Sequence, residues 1–389
     1  MSPSRRRRRA SPAWEGRRRI IVATFPGRGL YARHLGHPEG VDAVHRPTVR
    51  PANHSEPPVL SRHWLRHHLD EVDVVHLHGL PLRLTPEEVA ATADAVRAAG
   101  TPLVVTGYHL SDPTGRPGRA YQQQLDELVP RADAVITLTE PAAEEMRRRW
   151  GVEAVVLPHP HAVDFVRMRQ ERQPRRGEFL IGMHLAGLNL PAEPVRLTRA
   201  LTRAVGRLQQ RRSGVRLVVH LHETVLDPGA AGYNPCLVRR LDELVRGCGG
   251  VLRVHRPFTE SQLWDHLFSL DVSVVPGLHG SHSIWPEACA DLGTQALLPA
   301  GTHAAAQRPC LVYAGDALRA PRSGPHDRPG GVDDPDDGVE ATAQSLLAAL
   351  TTAAEQDCVW RADPEERWAE RVKVAESLRT VYERLLGVA

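Results

Sequence analysis

The segment Leu270–Leu298 carries residues whose types and spacing suit an anionic ligand. A short apolar run ends at Pro276, a polar loop follows, and a helix is predicted from Trp285. The loop consists of Gly280, Ser281, His282 and Ser283. Free amides at a helix start point towards a bound anion, and the helix macrodipole favours negative charge there. Glu287, one turn into the helix, can accept hydrogen bonds from hydroxyl groups. A phosphate site beside a hydroxyl site predicts a nucleotide sugar.

Histidines collect at the ends of predicted strands. They are His76, His78, His109, His159, His161, His220, His222 and His255. A spacing of two along a strand places both members of a pair on one face, as in His76 with His78 and His220 with His222. Imidazole is a common metal ligand, but no third ligand follows at a typical spacing and the pairs fall in different halves. We therefore expect histidines that form hydrogen bonds in a polar cleft, and no metal site.

Glycines follow the first predicted strand, in the segment Gly27-Arg28-Gly29-Leu30-Tyr31-Ala32. The segment satisfies the dinucleotide fingerprint G-x-G-x-x-G/A, which also requires an acidic residue about 20 residues further on. Arg46 stands near that place and no carboxylate does. An NADP enzyme using Arg46 stays open, and a loop that lets an acceptor or phosphate approach the backbone fits a transferase equally well. Nucleophilic hydrolysis has no support, because no G-x-S-x-G elbow is present and Cys289 falls inside a predicted helix.

Strands and helices alternate twice along the chain, which predicts α/β architecture with two doubly wound, Rossmann-like domains. The first-half strands are expected at Arg19–Thr24, Asp73–His78, Pro102–Gly107, Ala134–Leu138 and Ala154–Leu157. The second-half strands are expected at Phe179–Gly182, Val215–Leu221, Val251–His255, Asp271–Pro276 and Leu311–Ala314. Ligands of such sheets bind outside the carboxyl ends of the strands, so the cleft between the domains is the expected site.

Composition shifts predict the domain boundaries. The predicted segments are a disordered Arg-rich tail (1–18), a first domain (19–166), a linker (167–177), a second domain (178–362) and a terminal helix (363–389). The residues Gly315–Gly338 are poor in apolar side chains and rich in Pro, Gly and Asp, which is typical of a mobile loop.

Charge and cysteine use narrow the class of protein. The formal net charge is +3, and Arg5–Arg9 concentrates positive charge in the tail. Such a run is typically a solvated arm, with weak contact to an anionic membrane surface as the alternative. Nucleic acid is not an expected partner, because no aromatic residues interleave with the arginines. The five cysteines form no CxxC pair, and no apolar run approaches about 18 residues, so we expect a cytoplasmic protein without a disulfide framework. A single lysine, Lys373, among abundant arginines indicates a GC-rich bacterial genome.

The segment Leu270–Leu298 resembles the donor-binding segment of retaining glycosyltransferases of the GT-B fold, family 4. In that family a Pro-ended strand precedes Glu, seven residues, and then Glu-Ala-small-Ala-x-Gly. The residues Glu287-Ala288-Cys289-Ala290 match the second half, Gly293 follows one residue beyond the glycine of the pattern, and His279 stands where the first Glu would be. The string GSHSxWxEACxDLGT resembles an actinobacterial branch of that superfamily more closely than it resembles the general pattern.

Four shorter segments of the first half are similar to the same family. They are Asp73–Gly79, Thr106–His109, Ala132–Glu140 and Val156–His159. Their order and spacing extend the resemblance from about Ile20 to Thr302. The resemblance implies that His109 faces the donor sugar and that the terminal helix braces the first domain. It also implies a reaction with retention, without a metal ion and without a cofactor, the nucleotide-diphosphate sugar being a co-substrate.

One departure from the family concerns the donor diphosphate. The family continues the first strand of its second domain with Gly-Arg-Leu and then Lys-Gly, whose two cations hold the diphosphate. Here the sequence over residues 182–189 is GMHLAGLN, and both cations are missing. Losing two charge-assisted contacts removes about 1.5–3 kcal/mol each. The candidates to replace them are His184, Arg253, Arg256 and, from the first domain, Arg28.

The sequence therefore predicts a hexosyltransferase-type glycosyltransferase that moves a sugar from a nucleotide-diphosphate sugar to an acceptor hydroxyl. The expected catalytic residues are His109, His282 and Glu287. The expected donor-binding residues are Gly280, Ser281, His282, Ser283, Glu287, His184 and Arg256, and the acceptor-side residues are Gly27, Arg28, Gly29 and His78. Two alternatives stay open: a non-catalytic, degenerate GT-B protein that acts as a partner or scaffold, and a nucleotide-sugar epimerase. The nucleobase, the sugar and the acceptor have no signature in the sequence.

Overall fold

Two six-stranded parallel sheets form the core of the protein. The structure is a computed structural model that describes residues 18–26, 29–46, 62–80, 84–113, 119–172, 177–185, 194–230, 232–277, 280–315, 338–355 and 361–388. Residues 1–17 of the predicted tail, the residues Gly27 and Arg28, and the interior of the predicted loop Gly315–Gly338 lie outside these ranges. The expected fold class, two doubly wound α/β domains, is confirmed.

The first sheet has the strand order β2-β1-β3-β4-β5-β6. Its strands are β1 (Ile20–Phe25), β2 (Val44–His45), β3 (Val74–Leu77), β4 (Leu103–Thr106), β5 (Ala134–Thr137) and β6 (Ala154–Val156). The helices of this half are α1 (Leu30–Arg33), α2 (Arg62–His68), α3 (Pro86–Ala98), α4 (Ala120–Leu128), α5 (Glu140–Trp150) and α6 (Phe165–Met168). Every residue of β3 and β4 is buried, as expected for parallel strands with helices on both faces.

The second sheet has the strand order β12-β11-β10-β7-β8-β9. Its strands are β7 (Phe179–Leu185), β8 (Val215–His222), β9 (Val251–His255), β10 (Val272–Val274), β11 (Gln295–Pro299) and β12 (Leu311–Tyr313). The helices of this half are α7 (Pro194–Arg211), α8 (Pro235–Gly247), α9 (Glu260–Ser269), α10 (Ile284–Leu292), α11 (Val339–Glu355) and α12 (Pro364–Leu385). One core lies between the sheet and α7, α8 and α11, and another includes residues of α9 and α10.

The last helix, α12, packs against the first domain. Val374, Leu378 and Tyr382 belong to the same buried cluster as Ile20 and Val22 of β1. The Tyr382 hydroxyl lies 2.7 Å from Nδ1 of His76, at the centre of the first sheet. The helix thus connects the end of the chain to the domain that begins it.

The strand order reverses once in each sheet, between β1 and β3 in the first and between β7 and β10 in the second. Doubly wound sheets bind ligands at such switch points, outside the carboxyl ends of the strands. The loop containing Gly29 follows β1, and His78 directly follows β3. His184 stands near the end of β7, and the loop beginning at Gly280 follows β10. The topology therefore places these four predicted site positions at the two switch points.

Five elements differ from the sequence-based expectation. Helical patterns in the sequence predict the other helices, whereas no predicted element corresponds to β2, β11, α1, α6 or α11. Only Gly293 and Thr294 separate β11 from the end of α10, so its short apolar run directly follows the helix in the sequence. The strand β2 has two residues and the helices α1 and α6 four each, which is too short for a periodic pattern. Among the described residues, no helix combines the length and apolar character that crossing a bilayer requires.

Candidate functional site

The two domains meet through the loops that follow β4 and β10. The amide of Leu110 donates to the carbonyl of Gly280 at 2.5 Å, and the amide of His282 donates to the carbonyl of Tyr108 at 2.9 Å. Between these bonds, His109 and Ser281 form an antiparallel β-bridge. The carboxyl edges of the two sheets therefore face each other, and the expected cleft is closed at this point.

Gly280 fits this junction because it has no side chain. Its φ of 61° lies in the left-handed region. A Cβ at this position would stand 2.7 Å from Oγ and 3.0 Å from Cβ of Ser111, on the opposite domain. Both the conformation and the close approach thus favour glycine.

Replacing Gly280 by alanine is expected to lower the free energy of unfolding by about 1–3 kcal/mol, because the variant strains the backbone and separates the two loops. Gly206 is the control: it lies inside α7, and a Cβ there would have nothing within 4 Å. Gly206→Ala is expected to stabilise the protein by up to about 1 kcal/mol through helix propensity. Urea unfolding of both variants measures the difference. A neutral effect of Gly280→Ala would contradict the close contact.

His282 bonds to the first domain through its side chain as well. Its Nδ1 donates to the Tyr108 carbonyl at 3.0 Å, and its Nε2 accepts from the Thr139 hydroxyl at 3.1 Å. The ring is buried, and burial lowers the pKa of His282 to about 3. Both ring nitrogens are engaged in this conformation. A catalytic role for His282 stays a prediction that requires these bonds to open.

His109 and His78 each hold a ring nitrogen for which the described residues offer no hydrogen-bond partner. The two atoms are Nδ1 of His109 and Nε2 of His78, and both are buried. Burial lowers the pKa of His109 to about 4 and that of His78 to about 3, so both rings are neutral near pH 7. Neutral imidazoles of this kind suit hydrogen bonds to uncharged hydroxyl groups.

Aromatic rings surround these histidines. Tyr31 packs against His78, Tyr108 and His159, with ring centroids 5.5, 5.2 and 5.1 Å apart. Tyr108 also lies 4.8 Å from the ring of His109. The sequence analysis named neither tyrosine as a site residue. Their positions beside the glycine segment and beside His109 were the available signals.

Glu287 is buried in an ionic network. Its Oε1 accepts from Nε2 of Gln307 at 3.0 Å, and its Oε2 accepts from Nε of Arg308 at 2.8 Å and from Nη2 of Arg367 at 2.7 Å. Burial raises the pKa of Glu287 to about 7, and the Arg308 guanidinium opposes that rise. Arg367 also donates to Asp291 at 2.8 Å, so the network joins α10 to α12. A contact of Glu287 with ribose stays a prediction, because protein groups bind both of its oxygens here.

The loop amides have unequal surroundings. The amides of His282 and Ser283 donate to the Tyr108 carbonyl and to Oε1 of Gln307, respectively. The Ser283 hydroxyl caps α10 by accepting from the amide of Trp285 at 3.1 Å.

Arg256, expected at the donor, is 88% exposed and lies 3.8 Å from Glu223. Gly29 stands before α1 as its N-terminal cap residue.

His184 lies in a group of histidines at the carboxyl edge of the second sheet. His184, His220 and His255 stand on the neighbouring strands β7, β8 and β9, and His184 pairs directly with His220 in register. Burial lowers the pKa of His184 and of His220 to about 3. A neutral His184 offers a hydrogen bond or a lone pair to a diphosphate, but no positive charge. The sequence spacing did not reveal this group because its members come from three strands.

Residues 5–160 match the family model described as Glycosyl transferase 4-like domain. A UDP-forming trehalose-phosphate synthase from Burkholderia vietnamiensis superposes with a TM-score of 0.58 at 12% identity, over 95% of this chain and 100% of that chain. A protein described as a UDP-N-acetylglucosamine 2-epimerase, from Listeria monocytogenes, has a TM-score of 0.56 at 13% identity, over 94% and 98% of the two chains. An E. coli structure bound with UDP-2-fluoro glucose has a TM-score of 0.53 at 12% identity, over 85% and 77%. No curated protein sequence matches the chain.

These likenesses establish that the chain has the GT-B fold. In its first half, the chain is similar to the Glycosyl transferase 4-like domain over residues 5–160. At 12–13% identity the structural matches show the architecture alone.

Proposed function

We propose that the protein is a hexosyltransferase that moves a sugar from a nucleotide-diphosphate sugar to an acceptor hydroxyl, with retention of configuration. The observation that carries the proposal is the position of His109. It follows β4 where the two carboxyl edges meet, and its Nδ1 is buried without a protein partner among the described residues. The family match over residues 5–160 and the UDP-sugar ligand of the E. coli structure support the same class of substrate.

In this proposal the neutral rings of His109 and His78 orient sugar hydroxyl groups. His109 contacts the donor sugar, and His78, beside the Tyr31 ring at the first switch point, lies on the acceptor side. Fixed hydrogen bonds of this kind align donor and acceptor, which lowers the entropic part of the barrier. The diphosphate would lie at the second switch point, near His184 and the amides of Gly280 and Ser281.

The domain contacts support a reaction that excludes water. Arg33 of the first domain donates to both carboxylate oxygens of Glu260 of the second, at 3.1 and 2.9 Å. His303 of the second domain lies 2.9 Å from Oε2 of Glu145 of the first. Together with the bonds of Gly280 and His282, these contacts hold the closed state. Closure around a bound donor limits its transfer to water.

Replacing His109 by alanine is expected to lower the turnover of the sugar donor by about 10²–10³-fold, because the variant loses one preorganised hydrogen bond to the reacting sugar. Affinity for the free nucleoside diphosphate is expected to change by less than about threefold, which is about 0.7 kcal/mol. His68→Ala is the control, since His68 lies on the surface and pairs with Glu71. Nucleotide release measures turnover, and calorimetry measures affinity. Unchanged turnover would remove His109 from the site.

An epimerase is the second candidate, favoured by the full-length likeness to the Listeria protein. Such an enzyme converts the nucleotide sugar itself and needs no acceptor. Incubation of the protein with nucleotide sugars alone, followed by chromatography, separates the two reactions. A transferase leaves the donor sugar unchanged in configuration. Accumulation of an epimeric nucleotide sugar would replace the transferase proposal.

A further inference from the structure

We propose that His184, His220 and His255 bind a divalent transition-metal ion, with Zn²⁺ as the preferred ion. The three residues stand at the carboxyl ends of the adjacent strands β7, β8 and β9. Each offers one ring nitrogen, and these three atoms all lie within 4.8 Å of one another. The transferases that the sequence resembles need no metal ion. The inference therefore rests on this chain's own residues and not on the resemblance.

The geometry is close to that of a histidine metal site. Zn–N bonds of about 2.1 Å in a tetrahedral arrangement place ligand nitrogens about 3.4 Å apart. Small rotations of the three side chains would bring the nitrogens from their present separation to that distance. Because the strands themselves are hydrogen-bonded neighbours, the backbone already holds the three Cα atoms in place.

Each of the three histidines has one buried ring nitrogen with no hydrogen-bond partner among the described residues. They are Nδ1 of His184, Nδ1 of His220 and Nε2 of His255, and all three are buried. A buried polar atom without a partner is costly, and a ligand that binds it removes that cost. Three such atoms within a few ångströms of one another are difficult to explain by packing alone.

The hydrogen bonds of His255 fix its ring in the state that a metal ligand needs. Its Nδ1 lies 2.5 Å from the carbonyl oxygen of Arg256, which can only accept, so Nδ1 carries the proton. The lone pair is then on Nε2, the buried nitrogen that has no partner among the described residues. A backbone carbonyl on the second ring nitrogen is the usual support of a metal-bound histidine.

Imidazole ligands favour zinc, copper, iron and nickel over magnesium or calcium. Three histidines leave a fourth coordination position open for water or another ligand. The ring of His266 lies beside the group, 4.2 Å from that of His220, and its Nε2 also lacks a partner among the described residues. Phe258 stacks on His255 at 3.9 Å and closes one side of the group.

The site has a consequence for the donor, which rests on the proposed function. Both cations that hold the diphosphate in the resembling family are missing near the end of β7. An ion on His184 would lie at the same edge of the sheet, and its open position suits a phosphate oxygen. The ion would then supply the positive charge that a neutral His184 lacks.

The first experiment measures metal binding in the absence of any nucleotide. The full chain is stripped with a chelator, and Zn²⁺ and Co²⁺ are returned by equilibrium dialysis. We expect one ion per chain and a visible Co²⁺ spectrum of tetrahedral type. His184→Ala, His220→Ala and His255→Ala are each expected to weaken binding at least about 10–100-fold, whereas His68→Ala keeps it.

Circular dichroism and thermal unfolding confirm that each variant is folded, and in the wild type Zn²⁺ is expected to raise the melting temperature. Failure of the wild-type chain to retain an ion would overturn the site. Equal binding by the wild type and the three histidine variants would assign the ion to another part of the surface, which also overturns it.

The second experiment compares the affinity for UDP of metal-free and Zn²⁺-loaded protein by calorimetry. At least tenfold tighter binding to the loaded form is expected. Equal affinities would remove the ion from the diphosphate while leaving the metal site standing. Binding of UDP by a protein that takes up no metal would overturn the metal site and leave the proposed function intact.

Discussion

Lowering the pH from 7.5 to 5.5 is expected to reduce the free energy of unfolding by at least about 4 kcal/mol, a large part of the typical 5–15 kcal/mol of a folded protein. The reason is a set of buried histidines whose pKa values burial lowers well below 6.5. They are His76, His78, His109, His159 and His282.

The sign follows from proton uptake. A histidine whose pKa is lowered to about 3 or 4 in the folded state stays neutral at pH 5.5, whereas in the unfolded chain it binds a proton below pH 6.5. Stability is therefore complete above pH 6.5 and is lost as the pH falls towards the folded-state pKa values. Each group with a folded-state pKa of about 3 or 4 contributes a loss of about 1.4 kcal/mol at pH 5.5, so His78, His109, His159 and His282 together contribute about 6 kcal/mol. His76, whose pKa burial also lowers, adds to the loss in the same direction. Glu287, whose pKa burial raises to about 7, takes up a proton in the folded state and offsets about 2 kcal/mol.

Urea unfolding at pH 7.5, 6.5 and 5.5 measures this loss, and its slope against pH counts the protons that unfolding takes up. A net uptake of at least about three protons is expected near pH 5.5. An uptake below one proton would show that the buried histidines are charged in the folded protein.

Replacing Arg367 by alanine is expected to lower the free energy of unfolding by about 3–5 kcal/mol. Arg367 is 1% exposed and donates to Glu287 and Asp291, which are themselves fully buried. Removing one partner of a buried ion pair leaves uncompensated charge in a medium of low dielectric constant. The loss also removes the direct ion pairs between α12 and α10, which leaves only the indirect link from Glu287 through Arg308 to Glu370 of α12 in this network.

Arg169→Ala provides the control. Arg169 forms an ion pair with Glu365 of α12, the helix that also contains Arg367, and both side chains of this pair are exposed. An exposed pair contributes about 0–1 kcal/mol. Urea unfolding midpoints of the two variants give the comparison, and similar small losses would contradict a buried network. Glu287→Ala would break the same network, so reduced nucleotide binding in that variant needs a stability measurement beside it.

The sequence predicted the architecture because local residue patterns indicate where the strands and helices lie. Helix starts such as the Thr259–Gln262 capping box and Pro235 at the first turn of α8 mark boundaries within a residue or two. The apolar runs of β1, β8 and β9 likewise predicted strands at the observed places. These signals depend on residues that are neighbours in the sequence, so a single amino-acid sequence is enough to identify them.

The sequence could not predict which residues contact the site residues, because those contacts depend on the tertiary fold. Glu287 has the spacing of a ribose ligand, but its oxygens meet Arg367 of a helix that begins far along the chain. His282 lies in the expected anion loop, and both of its ring nitrogens bond to the first domain. The histidines of β7, β8 and β9 lie together because these strands are neighbours in the sheet. The spacing of residues along the sequence does not determine that strand order.

The most direct test of the transferase proposal is binding of nucleoside diphosphates to the purified chain. A thermal-shift panel with UDP, GDP, ADP, dTDP and CDP, confirmed by calorimetry, is sufficient, because a ligand at about 100 times its Kd stabilises the folded state by about 2.7 kcal/mol. The panel is run with and without Zn²⁺. We expect one nucleotide to stand out, which would identify the donor class. Absence of binding to all five under both conditions would contradict the transferase proposal and favour a non-catalytic GT-B protein that works with a partner chain.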